Sequence, residues 1–215
     1  MEDAISNIAD AASWKLRTLL RTARFYSVKE MVHLYKSKIW SFIECKTAAI
    51  YHSAKWLLLR IDRIQDSFNR SVGISELEAL CEYRLAPLCA RRDMAVLGII
   101  HRTVLGLGPK HFQEYFRLDG ASRNPGGREN VRRHDVQLRS YRTGRYLDIL
   151  GCSILGAIDI YNLLPASVVA AENVSVFQKR LQANLVMAAK GNEFGWKDLY
   201  SPRLPLYNGV VSKKP

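Results

Sequence analysis

The chain has 215 residues, is 48% hydrophobic and carries 32 Lys and Arg against 20 Asp and Glu, a formal charge of +12. That apolar content can build a sizeable core and excludes a disordered chain, while the charge points to a polyanion as partner, either nucleic acid or an anionic membrane surface. The longest apolar run, Ile149 to Ile158 between Asp148 and Asp159, is too short for a bilayer, which needs about 20 residues, and Met1-Glu2-Asp3 does not begin a secretory leader. The sequence therefore predicts an intracellular protein with no membrane span. Its four cysteines, Cys45, Cys81, Cys89 and Cys152, form no C-x-x-C pair and read as buried free thiols.

In chain order, Ser13 to Tyr26 predicts a short helix with Trp14, Leu16, Leu19, Leu20 and Ala23 on its apolar side. From Ser27 to Gly73 two long amphipathic helices are expected, because Val28, Met31, Leu34, Tyr35, Ile39, Phe42 and Ile43, then Leu57, Leu58, Ile61, Ile64, Phe68 and Val72, recur at helical spacing. Ser27 and Glu30 make a capping box, Thr47 to Ala49 with His52-Ser53 supplies a bend, and Gly73 is placed to stop the second helix. Ser75 and Glu78 open a further helix as a second capping box, and Pro87 opens the helix Leu88 to Leu105, which is apolar nearly all round and reads as the central buried one. Pro109 begins one more short helix carrying Phe112, Tyr115 and Phe116.

Between 119 and 145 the texture changes to glycine, asparagine, proline and seven arginines with no lysine, which predicts a mobile connection that either contacts phosphate through arginine or serves as a solvated link. A helix is expected over Tyr146 to Leu164, with a short strand near Val136 to Tyr141 left open, and Pro165 ends it. Ser175 and Gln178 form a third capping box for a helix carrying Phe177, Leu181, Leu185 and Ala188 and closed by Gly191. Phe194, Trp196, Tyr200 and Tyr207 then mark a partly docked tail that becomes disordered over Val211 to Pro215.

Between Trp14 and Arg70 twelve basic residues face four acids, an excess of +8 on helices whose polar faces would ordinarily mix signs. The candidate nucleic-acid contacts are Lys36, Lys38, Lys46, Lys55, Arg60, Arg63, Arg70, Arg91, Arg92, Arg132, Arg133, Arg139 and Arg142. Arg91 and Arg92 either contact phosphate or pair with Glu78 or Glu82. Nothing in the pattern predicts catalysis: the histidines lack H-x-E or H-E-x-x-H company, Glu76 and Glu78 point apart on a helix, and neither Gly106-Leu107-Gly108 nor Gly126-Gly127 belongs to a phosphate-binding fingerprint. No metal, cofactor or small-molecule substrate is expected.

Tyr35-Lys36-Ser37, then Asp62-Arg63-Ile64-Gln65 with Phe68, Arg70 and Gly73, resembles the region just after the polymerase palm in reverse transcriptases of non-LTR, LINE-like retrotransposons. The order continues with Arg84-Leu85-Ala86-Pro87-Leu88 and Arg91-Arg92-Asp93, then Tyr161-Asn162-Leu163-Leu164-Pro165 with Phe177 and Leu181, so the resemblance spans roughly 28 to 185. It implies part of an RNA-directed DNA polymerase: a helical thumb and the connection beyond it, gripping RNA, DNA or their hybrid in the nucleus, with a palm and fingers polypeptide as a further partner. The family's palm motif ends in Asp-Asp and this chain has none, so the resemblance implies a C-terminal fragment that does not catalyse alone. Tyr161, Asn162 and Pro165 read as a turn lock in preference to a ligand site, since Asn and Pro have direct turn roles.

The expectation is thus a mainly α protein: a helical thumb-like domain over 1–117, an arginine-rich connection over 118–146, a helical segment over 147–191 and a tail over 192–215. Its expected role is nucleic-acid binding; a helical scaffold for an acidic protein partner and a membrane-surface module are the alternatives.

Overall fold

The computed structural model describes residues 1–118, 133–141 and 147–203. The described residues are mainly helical, as the apolar spacing predicts, and in place of a strand they hold one isolated antiparallel bridge, Leu118 with Leu138. The chain forms two compact units, Met1–Arg92 with Val186–Glu193 and Asp93–Leu185 with Phe194–Pro215. Most of the connection predicted over 119–145, Tyr207 and the tail over 211–215 lie outside the described residues.

In the first unit, helix α1 (Glu2–Leu20) is longer than the helix expected from Ser13. Its buried stripe is Ile5, Ala9, Ala12 and Leu16, at the spacing of one helix face. Two of those four are alanines, which bury well yet give little apolar signal in a sequence. Glu2 and Asp3 in its first turn oppose the helix dipole favourably. The helix α2 (Val28–Tyr35) begins at the predicted capping box, with both Ser27 and Glu30 bonds formed. It runs into a π-helical turn, Lys36–Trp40, and then α3 (Ser41–Glu44) and α4 (Thr47–Ile50). The first of the two expected long helices is therefore a series of pieces; of the expected bend, Thr47 to Ala49 lies within α4, and the break before α5 (Lys55–Val72) falls at 51–54, at His52-Ser53.

The α5 helix buries Leu57, Leu58, Ile61, Ile64 and Phe68, packs along α1, and stops at Gly73, whose φ of 74° requires the left-handed conformation glycine adopts without strain. Phe68 stacks on Tyr35 of α2 with ring centroids 4.2 Å apart, and Gln65 donates to the Ala86 carbonyl at 3.1 Å. A second predicted capping box, Ser75 with Glu78, opens α6 (Glu76–Cys81). Arg84 follows with φ 51°, a left-handed conformation that costs an L-residue about 1 kcal/mol.

The helix α7 (Leu88–Val104) ends one residue before the expected Leu105, and residues 88–92 belong to the first unit while 93–104 belong to the second. Beyond it Pro109 opens only a 3-10 turn, Lys110–Phe112, in place of the short helix expected there. The single helix expected over 146–164 is two, α8 (Leu147–Gly151) and α9 (Ala157–Leu163), separated by a turn in which the Ser153 hydroxyl donates to the Leu150 carbonyl. Apolar spacing alone does not register that break. Pro165 ends α9 as predicted and caps α10 (Ala166–Val169). Helix α11 (Val174–Lys190) does not start at the expected Ser175–Gln178 capping box: Ser175 lies within the helix, and the cap is Asn173, whose side chain accepts from the Val176 N–H at 2.9 Å.

Within the second unit, Gly98 of α7 lets α11 approach so closely that a Cβ there would meet Gln178 Nε2 at 2.7 Å. Buried around that approach is a polar cluster. His101 Nε2 bonds the Ala171 carbonyl at 3.0 Å, which can only accept, so Nε2 carries the proton and Nδ1 accepts from the Tyr161 hydroxyl at 3.0 Å. The His101 ring stacks on Phe177, centroids 4.1 Å apart. His134 Nε2 donates to the Tyr161 carbonyl at 3.1 Å, while its Nδ1 is buried without a protein partner. Burial holds both imidazoles below their ordinary pKa. Asn162 locks the backbone of Leu138 from both sides, accepting from its N–H at 2.8 Å and donating to its carbonyl at 2.7 Å, so its structural role is directed at a distant segment. Tyr200 is buried and donates to the Leu181 carbonyl at 2.9 Å, which docks the first part of the tail.

The cysteines are free, but they are not buried as expected. Cys45 is exposed and Cys81, Cys89 and Cys152 are half-buried.

Candidate nucleic-acid interface

Helix period decides which basic residues of the first unit face outward. On α5, Trp56, Arg63 and Arg70 are seven apart and lie on one side, in steps of about 10 Å. Trp56 is 59% exposed, and Lys55, Arg63 and Arg70 are exposed as well. Arg70 Nε donates to the Asp66 carbonyl one turn back at 3.3 Å, which points its guanidinium along the helix. Lys38, on the π-helical turn, is also exposed, as are Arg17 and Arg21 at the end of α1. These side chains project from helices already ordered by the core, so meeting a phosphate costs no backbone ordering, only side-chain rotamer freedom of about 0.5–1.5 kcal/mol for each one held.

Other predicted contacts are occupied within the fold. Arg92 is 4% exposed and forms a bidentate pair with Asp62 of α5, Nη1 to Oδ1 at 2.7 Å and Nη2 to Oδ2 at 2.8 Å. Arg91 Nε bonds Glu44 at 2.6 Å with its guanidinium carbon 4.8 Å from the centre of the Trp40 ring. Both arginines pair with acids, but the acids are Glu44 and Asp62, not the expected Glu78 and Glu82. Arg60 Nη1 donates to Ser6 of α1 at 2.7 Å. Lys46 lies over Phe42, 5.2 Å from the ring centre. Lys36 donates to the Tyr83 carbonyl, and burial together with the neighbouring Arg84 and Arg91 holds its ammonium below its ordinary pKa.

In the second unit Arg133 is exposed and donates to the Leu163 carbonyl at 3.0 Å, and Arg139 is exposed at the isolated bridge. Arg132 and Arg142 lie outside the described residues. Asp93, the last residue of the R-R-D motif, pairs with Arg203 at 3.5 Å.

The thirteen candidates thus separate into an exposed set on the first unit, Lys38, Lys55, Arg63 and Arg70, a set held by the partners just named, Lys36, Lys46, Arg60, Arg91 and Arg92, and the arginines beyond residue 131. Trp56 and Arg84 were not among the predicted contacts. An exposed aromatic heading a basic helix face gives Trp56 a legible signal in its spacing to Arg63 and Arg70; the left-handed backbone of Arg84 gives none. Among the described residues no group of three or more His, Cys, Asp or Glu could hold a metal ion, and no helix is long and apolar enough to cross a membrane. No family model matches the chain, and neither does any curated protein or any solved structure.

Proposed function

We propose that the first unit binds the phosphate backbone of nucleic acid along the outward face of α5. The supporting observation is the line of Trp56, Arg63 and Arg70 with Lys55 beside it, projecting from a helix whose opposite side is anchored in the core. Arginine offers a rigid fork to phosphate, and an exposed indole offers a surface to a base or sugar. On this reading the chain is the backbone-gripping part of an RNA-directed DNA polymerase of LINE type, as the ordered motif resemblance from Tyr35 to Leu181 supports, with template or primer as its partner and the nucleus as its place of action. It has no Asp-Asp pair for the palm's metal ions, so polymerase chemistry would come from a palm polypeptide.

Binding of this kind is insensitive to sequence and steep in salt. Neutralising about three phosphates, one for each of Lys55, Arg63 and Arg70, gives a log–log salt slope of roughly −2.7 on B-form DNA, shallower on single strands. The double variant Arg63→Ala, Arg70→Ala reduces that slope by about 2. A flat salt profile, or a slope unmoved by the double variant, would overturn the reading and favour a scaffold for an acidic protein.

A further inference from the structure

We propose that the first unit also carries a site for a phosphate monoester, formed by Lys36, Arg84 and Arg91 around Trp40. This site is separate from the α5 face and does not rest on it. Three features of the fold converge there. Lys36 and Trp40 are the two ends of the π-helical turn, a rare element that recurs at functional sites because its extra residue re-aims side chains. Lys36 Nζ and the Arg91 guanidinium carbon lie 5.9 and 4.8 Å from the centre of the Trp40 ring, so one indole collects two cations. Lys36 is fixed by its bond to the Tyr83 carbonyl, and the next residue is Arg84.

Arg84 is the informative member. It is exposed, and it holds a left-handed backbone that glycine would adopt without strain. The other non-glycine residue with positive φ among the described residues is Asn192, of a type common in that conformation. Strain at Arg84 therefore accompanies the gathering of like charges. Glu44 takes the Arg91 Nε, while Nη1 and Nη2 remain available. Three cations against this one carboxylate leave +2 at the cluster, which complements the charge of about −2 on a phosphate monoester better than the single charge of a diester. Arginine forks and an ammonium are the donors that recognise phosphate oxygens. The shared chemistry is a phosphate dianion, whether at an oligonucleotide end or on a small molecule.

The test uses the full chain and inorganic phosphate at constant ionic strength, followed by the indole N–H resonance of Trp40. That N–H is buried and has no protein partner, so the resonance reports its own surroundings. Saturable shifts with a dissociation constant of about 1 mM are expected. Arg84→Gly weakens binding by at least about tenfold while leaving the melting temperature unchanged or raised, since glycine suits the backbone. In parallel, oligonucleotides of one sequence with a 5′-phosphate or a 5′-hydroxyl are compared. Tighter binding of the phosphorylated strand, abolished by Arg84→Gly, assigns the site to a nucleic-acid end. Equal binding of the two strands, with the phosphate titration intact, assigns it to a small phosphate compound.

No saturable shift by about 10 mM phosphate, or a shift undiminished in Arg84→Gly, overturns the proposal. Arg63→Ala with Arg70→Ala leaves the phosphate titration unchanged, so failure of the α5 interface and failure of this site are read separately.

Discussion

The α5 helix of the first unit and the histidine cluster of the second handle polar side chains in opposite ways. α5 keeps Lys55, Arg63 and Arg70 in water and places Gln65 and Asn69 against the core. The second unit takes His101 and His134 out of water and holds them uncharged among Tyr161, Phe177 and backbone carbonyls. Both arrangements order a polar group, but an outward arginine keeps its charge available to a partner, whereas a buried imidazole gives up its charge to packing. In a chain of formal charge +12, placement decides which charges can act on anything outside.

The largest effect that sharpens the contrast lies between two arginines of the first unit. Arg92→Ala leaves the Asp62 carboxylate, 16% exposed, without the fork that holds it, and stability falls by about 3–5 kcal/mol in urea denaturation. Arg63→Ala, one residue after Asp62 on α5 but exposed, stays within about 0.5 kcal/mol of wild type and instead weakens nucleic-acid binding. If Arg92→Ala left stability intact, the division between structural and available arginines would be wrong.

That division explains how much of the molecule was legible in the sequence. Helix class, the two reciprocal capping boxes, the Gly73 stop and the core positions of α2, α5 and α11 could be read because apolar period and local side-chain to backbone bonds act over a few residues. The start of α1 was hidden by its alanines, and the π-helical turn and the break between α8 and α9 by the persistence of apolar residues across them. The site was less legible. A basic residue on a helix reads the same in sequence whether it meets solvent, as Arg63 does, or an acid thirty positions away, as Arg92 does. The motif residues that suggested the family resemblance carry structural contacts: Phe68 on Tyr35, Gln65 on Ala86, Arg92 on Asp62, Asn162 on Leu138. Motifs that specify packing point toward a fold, and they leave the available surface to be found in three dimensions.

An intermediate effect comes from the histidines. Burial depresses the folded pKa of His101 and His134, so the unfolded chain binds more protons once pH falls to the ordinary imidazole range near 6.5. Their neutral forms support the fold fully above that pH, and the support is lost as pH falls toward their lowered values. The urea midpoint is therefore expected to be level from pH 8 to about 7 and to decline between about 6.5 and 5, above the carboxylate range. In His134→Gln, where an amide can still donate to the Tyr161 carbonyl but takes up no proton, the decline is roughly halved. Nucleic-acid binding by α5 has no histidine in its line, so its affinity should not follow the same curve.

The smallest effect tests the face of α5 from within. Asp66 is exposed, three residues after Arg63 and four before Arg70, so its carboxylate lies within a helical turn of both guanidinium groups and lowers the positive potential they present. Its charge reaches inward too, where it raises the pKa of the buried Tyr35 hydroxyl second only to burial itself. Asp66→Asn keeps the size and the carbonyl that Arg70 Nε uses while removing the charge. Side chains this close are within the screening length of about 8 Å at physiological salt, so affinity for duplex DNA is expected to rise about twofold, with stability slightly lowered by loss of an i,i+4 acid–base neighbour. Opposite signs in binding and stability distinguish this from a general loosening of the helix, which would lower both. If Arg63→Ala with Arg70→Ala weakens binding and Asp66→Asn leaves it unchanged at low salt, the phosphates pass on the Trp56 side of the two arginines, and the track lies nearer to Arg60 than to Asp66.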